Sequence, residues 1–153
     1  MSSLTWRERW GRARNEEGSA IIEFIFLGVL MLVPLIYLVM TLARIQAGSY
    51  AVTTAAREAG RAYVTASEGQ NASARANAAA DIAFGDQGFD GMGSLEIRCS
   101  TSPCLTPDAR IETTAQVTVP LPLIPAFARN VVPLEIPLSA SHLSTVDRFR
   151  GAP

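Results

Sequence analysis

Glu23 stands five residues after Gly18 and immediately before Phe24–Ala43, twenty consecutive residues without a charge. A carboxylate in a membrane helix costs about 2.5–3.5 kcal/mol at the centre and less near an end, so such a residue is by default a functional one. Its chemistry is that of an acid waiting for a cation or a recognising partner. The second candidate is Cys99-Ser-Thr-Ser-Pro-Cys104. Two thiols around four residues with a turn-forming Pro103 suit a local disulfide in an oxidising compartment; they are too few for a metal site, and the spacing is not the redox CxxC. The third is His142, the only histidine. It continues the apolar parity of Leu138 and Ala140, which suits a packed or strand-end side chain better than a general base. No Gly-rich phosphate loop, paired-carboxylate motif or nucleophile elbow accompanies them, so neither an enzyme nor a bound cofactor is expected.

The element that must position Glu23 is the apolar run. About twenty residues at a rise of 1.5 Å cross the ~30 Å hydrocarbon core. Three readings fit: a secretory signal cut near Ala47-Gly48-Ser49, a plain membrane anchor, and a pilin-type segment whose leader is removed before the run. A secretory apolar core is shorter, about 7–15 residues, and carries no acid. Arg7, Arg9, Arg12 and Arg14 crowd the short N-terminal flank and place it in the cytoplasm, with the C-terminal part outside. Trp6 and Trp10 suit the cytoplasmic interface.

Composition limits the rest. A formal net charge of -1 gives no basic surface, and the leader's arginines are offset by Glu8, Glu16 and Glu17, so nucleic acid is excluded as a partner. About 110 residues follow the span, enough for one modest outer domain.

Beyond Arg44 the small or apolar residues Ile45, Gly48, Val52, Ala55, Ala59, Ala62 and Ala66 recur at helical steps, with Gln46, Ser49, Thr53, Arg57, Arg61 and Thr65 falling largely elsewhere. One helix is therefore expected from Ser19 to Ala66, about 72 Å long, kinked at Pro34 but not ended there. Gly28 reads as a close-packing position against a neighbouring helix. Asn71 to Ala83 predicts a short second helix; Gly85–Gly88 and Gly91–Gly93 are turn signals. The period then becomes two: Leu95-Ile97-Cys99, Ile111 through Leu121, and Leu134 through Ala140 predict three antiparallel strands with one wet face. Their apolar face needs a cover, and the outer half of the long helix together with the short helix is available. Pro120, Pro122 and Pro125 end the second strand, Pro133 and Pro137 suit an edge position in the third, and Val119 to Pro137 reads as an extended loop. Glu58 and Arg61, three apart, suit a weak exposed pair.

The leader ending in Gly18, then Ser19-Ala20-Ile21-Ile22-Glu23-Phe24, the apolar run, and Ala55-Ala56-Arg57-Glu58-Ala59-Gly60-Arg61 together resemble the TadE-like pseudopilins of tight-adherence (Flp) pilus systems. The likeness covers roughly the first 65 residues. It implies that a membrane-bound prepilin peptidase cuts between Gly18 and Ser19, with Glu23 and Phe24 in the recognised segment. It also implies a type IV pilin-related, non-enzymatic role in pilus assembly and adhesion, with other pseudopilins, the major Flp pilin, the inner-membrane assembly platform and membrane lipid as partners. Major Flp pilins are little more than the helix, so an added outer β domain points to a minor pilin or assembly component. A freed Ser19 α-amine, ordinarily of pKa about 7.7–8.0, would be substantially cationic and could pair with Glu23 of its own or an adjacent subunit.

The expected organisation is a cleaved cytoplasmic leader (1–18), a long helix (19–67) spanning the bacterial cytoplasmic membrane at about 21–43, a linker with a short helix (68–94), a small β domain (95–148) and a tail (149–153). The fold class is α+β. The alternative is a plain single-pass protein carrying an outer binding or structural domain.

Overall fold

In a computed structural model, residues 6–67, 71–122 and 135–150 are described, with side chains from Ser19 onward. Helix α1 runs Trp6–Val64. It starts before Ser19, and the leader's composition explains why. Glu, Arg and Ala, which are frequent there, are good helix formers. Pro34 lies inside α1. Its missing donor is tolerated because the remaining ladder stays bonded within the helix.

The chain divides into two compact units, Met1–Met40 and Thr41–Pro153. In the first, the apolar side chains from Ile21 to Met40 are exposed almost without interruption; Phe24 is 78% and Met31 71% accessible. α1 is long and apolar enough to cross a membrane, and none of its most apolar window is buried within the chain. A single-pass anchor is compatible with such a helix.

In the second unit the outer part of α1 belongs with the sheet. Helix α2 spans Ala72–Gly85 and begins on Asn71, whose side chain accepts a hydrogen bond from the Ala74 amide, satisfying one of the orphan donors of the first turn. Strands β1 (Gly93–Cys99), β2 (Arg110–Pro120) and β3 (Glu135–Thr145) form an antiparallel sheet in the order β1-β2-β3. The fold is thus α+β: a long apolar helix, a short helix and a three-stranded antiparallel sheet. Register fixes straight rows across it, such as Leu95, Ala115 and Ala140, or Ser94, Gln116 and Ser139.

Alternation sets the two faces. Ile111, Thr113, Ala115, Val117 and Val119 are buried, while Glu112 and Gln116 are exposed. The core combines these with Ala51, Val52, Ala55, Ala56, Ala59 and Tyr63 of α1 and Ala76, Ala80, Ala83 and Phe84 of α2. Small residues on α1 let a helix approach a sheet closely. At Gly48 an added Cβ would lie 2.5 Å from Val119 Cγ2 and 2.8 Å from Leu138 Cδ1; at Gly60 it would lie 2.5 Å from Ser144 Oγ. The polar set Gln46, Ser49, Thr53, Arg57, Arg61 and Thr65 is exposed. β2 ends at Pro120, so Leu121 falls just outside it. Leu134, Pro125, Pro133 and most of the loop expected over Val119 to Pro137 lie outside the described residues.

Candidate functional site

Gly18, Ser19, Glu23 and Phe24 all lie within α1. Ser19, Glu23 and Phe24 are exposed. Residues four apart share a helix face, so Ser19 and Glu23 sit one turn apart on the same side, and Glu23 heads the uncharged exposed run. Such a surface needs lipid or other helices as its surroundings, because an apolar area of this extent is not left in water. Gly28 has no neighbouring heavy atom within 4 Å of the position a Cβ would take, so the side of the helix it marks is open in the single chain.

The second unit, Thr41–Pro153, holds the other sequence-derived candidates. Cys99 and Cys104 are disulfide-bonded, with Cα atoms 5.3 Å apart. The loop they close is tied further: Thr101 and Thr106 hydroxyls are 2.9 Å apart, and the Arg110 amide donates to Ser100 Oγ at 2.9 Å. His142 is half-buried on β3 opposite Thr113. It lies on the opposite edge strand from Cys99 of the disulfide, so the sheet does not bring these two candidates together. Among the described residues no group of three His, Cys, Asp or Glu could hold a metal ion. Glu58 and Arg61 approach to 3.5 Å, both well exposed, which is a solvated pair rather than a site.

Three contacts were not legible as pairs in the sequence. Thr113, fully buried, directs its hydroxyl at the Ala56 carbonyl at 2.7 Å, with the His142 carbonyl 3.1 Å away, so one side chain links α1, β2 and β3. Arg150 donates to the carbonyls of Val64 at 2.8 Å and of Ala66, capping the C-terminal end of α1 from the far end of the chain. Arg44, the first charge after the apolar run, lies over the Phe89 ring, 5.3 Å from its centroid. Only the polarity of Thr113 among buried-parity neighbours gave a signal; the other two depend on long-range closure.

These features define a class: a helix compatible with a membrane anchor, whose C-terminal part packs into an α+β unit. Comparison with known proteins takes the matter no further. No protein-family model matches the chain, and no curated protein or solved structure matches it.

Proposed function

We propose that this protein is a TadE-like pseudopilin, a non-enzymatic component of tight-adherence (Flp) pilus assembly that a prepilin peptidase cuts between Gly18 and Ser19. The observation that carries the reading is the single helix α1, in which an exposed run without a charge, headed by Glu23, leads into a stripe of small residues on which a sheet is seated. A helix of this kind is suited to side-by-side association in and above a membrane. Glycine inside a helix costs about 1 kcal/mol relative to alanine, so α1 is intrinsically weak at Gly18, where a peptidase would need the backbone opened. The partners in this reading are the peptidase, other pseudopilins, the major pilin and the inner-membrane platform, with the outer unit on the far side of the cytoplasmic membrane.

Burial of Gly48 against Val119 and Leu138 weighs against a secretory cut at Ala47-Gly48-Ser49, since those residues belong to the packed part of α1. The plain anchor differs from the pseudopilin in what it asks of Glu23. In the pseudopilin, Glu23 pairs with the α-amine freed at Ser19, in its own chain or an adjacent one, and an unpaired acid penalises other registers. Glu23→Ala therefore still inserts but fails in processing or in pilus assembly. Membrane fractionation, the size of the protein and piliation of the cells measure this. Normal processing together with normal piliation in the variant contradicts the reading.

A further inference from the structure

The outer unit carries its own ruler. Gly48 packs against Leu138, and Gly60 against Ser144. From Gly48 to Gly60 α1 rises about 18 Å at 1.5 Å per residue, and from Leu138 to Ser144 β3 rises about 20 Å at 3.4 Å per residue. The two elements thus run side by side in the same direction, and level can be read from one to the other. Glu135 lies three residues before Leu138, about 10 Å further back, which is the level of Thr41 to Ala43 on α1. Pro120 pairs with Glu135 and shares that level. Ala43 is the last residue of the charge-free run and Arg44 the first charge beyond it.

We infer that this end of the sheet, carrying Pro120 and Glu135 together with Met92 and Arg44, rests on a zwitterionic phospholipid surface, giving the protein a second contact with the membrane besides its helix. The inference rests on the membrane reading of the apolar run. The headgroup layer is about 5–8 Å thick on each side of the hydrocarbon, so a sheet end level with Ala43 meets headgroups rather than bulk water. One further observation favours lipid as the occupant. Met92 is 45% exposed on the turn leading into β1, at the same end. Charge fits neutral headgroups. Among the residues named at this end Arg44 is matched by the acidic Glu135, so they carry no excess of basic charge for an anionic surface.

The test uses the full chain, which among its described residues has no free cysteine. Glu135→Cys and Thr145→Cys, both at exposed positions of β3, and Leu32→Cys in the apolar run are each labelled with a thiol-reactive fluorophore. Each is reconstituted into phosphatidylcholine–phosphatidylethanolamine vesicles that contain nitroxide lipids. Headgroup nitroxide should quench the label at 135 at least twofold more than that at 145, and acyl-chain nitroxide should quench the label at 32. Met92→Cys, at the same end as 135, should behave like 135, which guards against a perturbed strand. Equal, weak quenching at 92, 135 and 145 with strong quenching at 32 overturns the surface contact and leaves the anchor standing. An unquenched label at 32 overturns the anchor and this inference with it.

Discussion

Thr113 shows how much one buried hydroxyl can organise. It sits in an apolar face, yet its bond to the Ala56 carbonyl joins helix to sheet where Gly60 already brings them close. Thr113→Val removes the hydrogen bond while keeping the shape, so it should lower stability by about 1 kcal/mol, with Thr113→Ser affected less. A denaturant midpoint measured on the full chain in detergent checks both. Gly48→Val should cost more, about 1–3 kcal/mol, because its new methyl groups meet Val119 and Leu138. Gly48 was legible in the sequence as part of a small-residue stripe, as were Val52, Ala55 and Ala59. Ala51, Ala56, Gly60 and Tyr63 were not, because the buried arc of α1 is wider than a single stripe: the core joins it to both the sheet and α2. Glu23 drew attention as a charge at the head of an apolar run and Gly18 by its spacing from it, whereas the link from Thr113 to Ala56 has no local signature.

Among the elements, periodicity carried most of the information. The change of hydrophobic period from helical to alternating near Leu95 gives the three strands, and sequence-neighbouring strands with one wet face usually pair antiparallel, as these do. The register did not follow from pattern, since alternation fixes which side chains face inward but not which row they join. The N-terminal extension of α1 into the leader was missed because the attention of a hydrophobic pattern ends where charge begins, although Arg, Glu and Ala favour helix there. Its other end is held by Arg150, which supplies donors to two carbonyls that the helix itself leaves unpaired. Arg150→Ala should therefore lower the stability of the outer unit by about 1 kcal/mol, a charged hydrogen bond discounted for partial exposure. The neighbouring Phe149→Ala, at 88% exposure, should stay within about 0.5 kcal/mol. Hydrogen exchange at the last turn of α1 distinguishes loss of the cap from general loosening: the Arg150 variant should accelerate exchange there first.

At the scale of the whole molecule, the chain sets an exposed apolar helix before a C-terminal unit whose core is largely alanine and glycine on the helical side. The helix asks for lipid or helices around its first part, and its second part is already occupied by the sheet. The proposed role as an anchored assembly component rests on this division, and on that proposal Gly18 and Glu23 act as a pair. The long apolar helix and the α+β class were legible because both depend on runs of side-chain polarity; partners were not, because the exposed apolar face carries little chemical distinction. The central claim is that Gly18–Ser19 is a scissile bond, so the N terminus of the protein isolated from its native cell tests it most directly. N-terminal sequencing or intact mass should give Ser19 as the first residue. Met1 at the N terminus would contradict the account in favour of the plain anchor, and a start near Tyr50 would contradict it in favour of a secreted domain.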